Sequence, residues 1–151
     1  GRLHRVRRST ACELAPMATV SRRREPLRVV VAEDHDELRR RLADEIDAQP
    51  DMLCVGCVAA AEQVVRTAHH AGADVIVLDL MLEGGNALHL IREVKRSLPA
   101  SRVIVHTGYS GDVLAGEARR RGASGYVTKG TAVDALLLEI REACYVTPGW
   151  R

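Results

Sequence analysis

Between Leu27 and Ile140 the chain alternates five times between a short apolar run and a longer segment whose apolar residues recur at helical spacing. Repeated strand-then-helix order with short links restricts the fold to a parallel sheet covered on both faces by right-handed crossovers. The runs are Leu27 to Ala32, Met52 to Val58, Val75 to Leu78, Arg102 to His106 and Ser124 to Thr128. Val75 to Leu78 shows no polar alternation, as expected of a strand buried on both faces. Between the runs, Leu38, Leu42 and Ile46 share one helical face over 35–48, which leaves arginines 39 to 41 mostly toward solvent. Val64, Val65 and Ala68 do the same over 60–71. Gly84 and Gly85 are expected to open a third helix, carrying Leu88, Ile91 and Leu98 and stopped by Pro99. A fourth helix over 110–121 is weakened by Gly116 and closed by Gly122. The last buries Val133, Leu136, Leu137 and Ile140.

The expected architecture is therefore α/β, a doubly wound five-stranded parallel sheet of flavodoxin-like plan with strand order 2-1-3-4-5. At 151 residues the chain is one domain with tails, and an aromatic share of 3% with no Phe leaves Val, Leu, Ile and Ala to fill the interior. No stretch approaches the roughly 20 apolar residues that span a bilayer, and residues 1–26 lack the apolar segment of a secretory signal. A cytoplasmic protein without a membrane partner is expected. Residues 1–26 hold seven arginines against Glu13 and Glu25, a surplus of five positive charges in a chain whose formal net charge is +2. The remainder is thus net −3 (+2 less +5), and 1–26 reads as a basic, disordered leader with Met17 as a candidate start. The folded domain is placed at 27–145, and 146–151 is a tail or the start of a linker.

Four cysteines, Cys12, Cys54, Cys57 and Cys144, invite a metal or redox reading of the Cys-x-x-Cys pair. Cys54 and Cys57 fall within the run 52–58, however, and residues three apart on a regular strand point to opposite faces. Free thiols are expected.

The polar residues that stand out all follow strands: Glu33 and Asp34 after the first, Asp79 after the third, Thr107 after the fourth, Lys129 after the fifth. In a parallel sheet these ends lie on one edge, where open α/β sheets bind ligands. Three carboxylates held together repel unless a cation joins them. A hard divalent ion suits oxygen donors, and Mg2+, which is content with one or two carboxylates, waters and phosphate oxygens, suits them best. A lysine and a threonine add a positive charge and a hydroxyl donor for nonbridging phosphoryl oxygens. The set looks built to accept phosphate on a carboxylate.

Four motifs, Val-Val-Val-Ala-Glu-Asp-His-Asp, Val-Ile-Val-Leu-Asp-Leu-Met-Leu, Val-Ile-Val-His-Thr-Gly and Gly-Ala-Ser-Gly-Tyr-Val-Thr-Lys, occur in this order. Together they resemble the receiver domain of two-component response regulators over about residues 27 to 145. The resemblance implies that Asp79 is the phosphoacceptor and that Asp34, Asp79 and the backbone carbonyl of Met81 ligate Mg2+, with Glu33 acting mainly through a coordinated water. It implies that Thr107 and Lys129 bind phosphoryl oxygens and that Tyr126 is an aromatic switch turning inward when Thr107 is drawn to phosphate. Met81 and Tyr109 match positions that flank the path of the hydrolytic water and so tune dephosphorylation. A sensor histidine kinase or phosphotransfer protein would donate the phosphoryl group. The 110–145 face would carry the output, including a possible homodimer.

The Gly-Ala-Ser-Gly-Tyr-Val-Thr-Lys-Gly segment and Tyr145-Val146-Thr147-Pro148 look most like the transcription-factor subfamily whose receiver precedes a helix-turn-helix domain. DNA contact would then need an output domain that this chain does not contain. Glu83 and Gly130 stand where many receivers carry proline, and Ala87 where a glycine is common; the isomer of the Lys129–Gly130 peptide is left open. Three rival readings remain. A dehalogenase-like phosphatase would want an aspartate where Met81 stands. A flavin or nucleotide binder would meet repulsion at Glu33-Asp34. A degenerate receiver would act as an interaction module without phosphorylation.

Overall fold

The strands β1 (Leu27–Ala32), β2 (Met52–Val58), β3 (Val75–Leu78), β4 (Arg102–Thr107) and β5 (Gly125–Thr128) form one parallel sheet in the order β2-β1-β3-β4-β5, in a computed structural model that describes residues 25–145. The helices that link and follow them are α1 (Asp36–Asp47), α2 (Val64–Ala71), α3 (Leu88–Ser97), α4 (Asp112–Arg120) and α5 (Val133–Tyr145). The expected strand order is the one found. The readings of 1–24 as part of a leader and of 146–151 as a tail lie outside the described residues.

Alternation along the strands divides the interior into two cores. Val30, Ala32, Ile76, Leu78, Val103 and Val105 face α2, α3 and α4, meeting Val64, Ala68, Leu90, Ile91, Val94 and Ala118. Val29, Val31, Val75, Val77, Ile104 and Val127 face the other way, onto Leu42 and Ile46 of α1 and Leu136, Leu137, Ile140 and Ala143 of α5. β3 is buried at every position, which explains its lack of polar alternation. Each fully buried branched side chain contributes roughly 1.5–3 kcal/mol through removal from water, so the two central strands anchor the domain. At the edge of the sheet Arg141 of α5 ties the start of β2 down, donating to both carboxylate oxygens of Asp51 at 2.8 Å and to Gln49 Oε1 at 2.9 Å.

Three local expectations are corrected. Gly84 and Gly85 do not open α3. They lie at the tip of a small antiparallel hairpin pairing Met81 with Asn86 and Leu82 with Gly85, with φ of +101° and +108°, values that glycine tolerates and other residues avoid. α3 starts only at Leu88, whose N–H is met by the Asn86 side chain at 2.8 Å. Leu98 lies just past its end.

The second correction concerns β2. Its pairing with β1 slips between Val29 and Val30, so that Val29 faces Cys54 while Val30 faces Gly56. One extra residue in a strand resets the side-chain alternation. Cys54 and Cys57 therefore share a face, with sulfurs 3.8 Å apart, rather than pointing to opposite sides. Both thiols are free. Finally, β4 runs one residue further than expected and includes Thr107.

Candidate functional site

The sheet's hydrogen-bond ladder continues one residue past the ends of its strands and fixes the backbone of the site. Glu33 N–H donates to Val58 at 3.0 Å, Asp79 N–H to Ala32 at 3.0 Å, and Lys129 N–H to Thr107 at 2.7 Å. Residues from four strand ends, spread over almost a hundred positions of sequence, are thus set side by side by main-chain pairing alone. Gly130 follows with φ +98° and a trans peptide before it. Proline, fixed near −65°, could not adopt that φ, so the departure from proline there matches the local backbone.

Lys129 is the centre of the arrangement. Its Nζ lies 2.7 Å from Asp79 Oδ2, to which it donates, and 2.8 Å from Glu33 Oε1. The Glu33 contact is an ion pair without the angle of a directed hydrogen bond. Glu33 and Asp79 are 1% and 4% exposed, so their charges are held in a desolvated place and need this cation. Burial pushes the ammonium's pKa down, but the two paired carboxylates outweigh it and hold it above its ordinary value. Lys129 remains protonated throughout the neutral range.

Asp34 is more open. It reaches His35, whose Nδ1 lies 3.4 Å from Asp34 Oδ1 and 3.1 Å from Glu33 Oε2. Among the described residues Glu33, Asp34 and His35 form one group whose ligand-capable atoms lie within 4.8 Å of one another. Two carboxylates in that group supply the hard oxygen donors a divalent cation of the Mg2+ type requires, so the donor chemistry fits. Asp79, expected beside them, has one oxygen turned to Lys129 and the other accepting the Met81 N–H at 3.2 Å.

Thr107 is fully buried, and its Oγ1 stands 3.5 Å from the Tyr109 N–H. Tyr126, on β5, donates its hydroxyl to the Tyr109 carbonyl at 2.6 Å, while its ring packs on the core that faces α2, α3 and α4. Desolvation raises its phenol's pKa. Met81 and Tyr109 are 42% and 52% exposed.

Two histidines at the site were not among the expected residues. His35 was passed over, although its place directly after Glu33-Asp34 was a usable signal. His106 was counted only as a strand residue. It is buried, its Nδ1 has no hydrogen-bond partner among the described residues, and burial, assisted by the charge of Lys129 and opposed by Asp79, lowers its pKa to about 4. It is a neutral imidazole beneath the site.

A parallel sheet of this order, bearing an acidic pair, a buried aspartate and a lysine at its carboxyl edge, is the arrangement expected of a receiver domain. The chain belongs to the family described as the response regulator receiver domain, whose model matches residues 29–141. It is a receiver of two-component signalling, similar to those of transcription-factor response regulators. One relative is the DNA-binding transcriptional activator DevR/DosR of Mycobacterium tuberculosis, 34% identical over 103 residues, which are 68% of this chain and 48% of that protein. Another is the nitrate/nitrite response regulator protein NarL of Escherichia coli, 30% identical over 79% of this chain and 55% of that protein. The chain spans about half the length of these relatives. Among solved structures, the response regulator domain of Thermotoga maritima CheB superposes with a TM-score of 0.75 at 30% identity, covering 82% of this chain and all of that one. Among the described residues no helix is long and apolar enough to cross a membrane.

Proposed function

We propose that Asp79 is phosphorylated, in a Mg2+-dependent step, by a sensor histidine kinase, a phosphotransfer protein or a small acyl phosphate. The observation that carries this is the 2.7 Å contact of the Lys129 ammonium with the buried Asp79 carboxylate at a strand end. The donor is a phosphohistidine or acyl phosphate. An Asp79 oxygen attacks its phosphorus, the P–N or P–O bond breaks, and the imidazole or carboxylate leaves. Lys129 then moves from the carboxylate to a nonbridging phosphoryl oxygen, an exchange of one anion for another that keeps its charge paired. The Thr107 hydroxyl, one backbone hydrogen bond from Lys129, donates to a second oxygen. Asp34, Asp79 and the Met81 carbonyl would hold the cation, with Glu33 acting mainly through a coordinated water. The ion, when bound, neutralises charge on the transferring group. His35 borders the same oxygens and orients Glu33 and Asp34.

The chain is its own phosphoacceptor rather than an enzyme acting on other substrates. Drawing Thr107 toward phosphate releases the Tyr109 N–H and loosens the segment whose carbonyl holds Tyr126, so the ring can turn inward. The output is placed on α4, β5 and α5, where Val113, Leu138 and Tyr145 are exposed apolar side chains suited to a second copy or a docking partner. Control of transcription would act through a DNA-binding segment outside the described residues.

Incubation with acetyl phosphate and Mg2+ tests the assignment. The parent should gain one phosphoryl group mapped to Asp79, Asp79→Asn should gain none, and Asp34→Asn should need more Mg2+. Full labelling of Asp79→Asn would refute it.

A further inference from the structure

The bulge in β2 leaves two thiols together that phosphorylation does not use. Cys54 Sγ and Cys57 Sγ are 3.8 Å apart, Cys57 exposed and Cys54 half-buried. β2 is an edge strand of the sheet, so solvent reaches the pair from its open side. A disulfide needs the sulfurs at about 2.05 Å, a closure of roughly 1.8 Å from where they stand, shared by two side chains already on one face.

We propose that Cys54 and Cys57 are an oxidisable dithiol, a modification site at which a peroxide-class oxidant forms an intramolecular disulfide. Cys57 is the sulfur that reacts first. The hydrogen bond with Cys54 holds its thiol down to about 7 against the opposing effect of burial, with help from the Arg39 guanidinium and some opposition from Asp47. Cys54 is pushed the other way, by that same hydrogen bond, by burial and by the neighbouring thiolate, and so keeps its proton. Arg39 and Asp47, both on α1, are the charged groups that act on the pair.

The Cys57 thiolate attacks one oxygen of hydrogen peroxide, the O–O bond breaks, and hydroxide leaves and is protonated, giving a sulfenic acid. Oxidation of Cys57 removes the thiolate that kept Cys54 protonated. The Cys54 sulfur then attacks the Cys57 sulfur, the S–O bond breaks, and the departing hydroxide takes the Cys54 proton. Two thiols and one peroxide become one disulfide and two waters. Cytoplasmic disulfides are characteristically transient and reversible, which suits a pair held ready but reduced.

Cys144 is an internal control, because burial raises its thiol to about 11. At pH 7 Cys57, exposed and held low, carries far more thiolate than the half-buried Cys144, so Cys57 should react well before it.

The experiment exposes the full chain, reduced and freed of reductant, to one equivalent of hydrogen peroxide, with intact mass and peptide mapping as readouts. The parent and a Cys12→Ser, Cys144→Ser double variant should both lose two hydrogens, with the link mapped between Cys54 and Cys57 and reversed by dithiothreitol. In Cys54→Ser, Cys57 should be trapped as its dimedone adduct. Iodoacetamide on the unmutated chain at pH 7 should modify Cys57 well before Cys144, a reading independent of whether the serine variants fold. The proposal is overturned by oxygen addition without a link, by a link through Cys12 or Cys144, or by alkylation of Cys144 ahead of Cys57.

Discussion

Replacing Lys129 with methionine keeps the length of the side chain and deletes the one cation among the described residues that touches both Glu33 and Asp79. Breaking a buried ion pair by removing one partner costs about 3–5 kcal/mol, because the remaining charge stays desolvated. Here two carboxylates are stranded, but the lysine side chain is 21% exposed and water can enter where its end was. The lower end applies, about 3 kcal/mol. With a urea slope of about 1.5 kcal/mol per molar, the midpoint should fall by about 2 M at pH 7.5 without divalent ions. Mg2+ should return part of the loss, since a metal can replace the missing charge. If removal of the ammonium tightens Mg2+ binding tenfold, saturating Mg2+ should stabilise the variant by about 1.4 kcal/mol more than the parent. The pH dependence follows from the raised pKa of Lys129: a group bound more tightly as its protonated form stabilises fully below its ordinary value of 10.5 and loses that effect as pH rises through the folded value. The gap between parent and variant should thus persist from neutral pH to about pH 10 and close only above it. Urea melts followed by far-UV circular dichroism, with and without Mg2+, measure all of this. A midpoint change under about 0.5 M together with an identical Mg2+ response in both proteins would show that Lys129 is not the counter-ion of the carboxylates.

Loss of the phosphoryl group should be slow, because Met81 and Tyr109 offer no carboxylate or amide to orient water. A Met81→Asn, Tyr109→Glu double variant should lose phosphate about tenfold faster, equivalent to 1.36 kcal/mol in the barrier, and equal rates would remove these side chains from control of access. Arg141→Ala should cost about 1 kcal/mol, discounted for the solvent that still reaches a partly buried pair. Because the Arg141 hydrogen bond depresses the Asp51 pKa, that stabilisation is present above 3.8 and lost as pH falls through the lowered value, so parent and variant should converge in acid melts. Gly122→Ala should destabilise by about 2 kcal/mol: its φ is +117°, and a Cβ would stand 2.8 Å from Lys95 Cγ. A thermal melt of that variant within a degree of the parent's would refute the strain.

The strands were legible because four of the five are short apolar runs that end in, or are followed by, a polar residue, and their order was legible through the flavodoxin-like plan that five strand-then-helix units imply. The position of each polar residue at a strand end followed from the same boundaries. What was not legible depended on single-residue geometry. Met-Leu-Cys-Val-Gly-Cys-Val carries no mark of its bulge, since the extra residue is an ordinary valine beside a glycine that has no side chain to reveal its face. Gly84-Gly85 signals a reversal of the chain equally well before a helix or within a hairpin, and only the pairing of Met81 with Asn86 decides. The contact of Lys129 with Glu33 as well as Asp79 could not be read either, because it depends on how far a flexible ammonium reaches across three strands.

The ladder that places Lys129 has a consequence for the order in which the molecule becomes whole. Synthesis delivers Glu33, Asp34 and Asp79 first, and β1, β2 and β3 can pair as soon as their linking helices have emerged. Their counter-ion arrives some fifty residues after Asp79, by sequence numbering, on the last strand to join. Until β5 docks, the nascent domain has an edge of like charges that lacks its lysine. Completion of the sheet is therefore the event that gives Glu33 and Asp79 their lysine, and a chain stalled before Lys129 would expose the acidic cluster in a repelling, metal-hungry form.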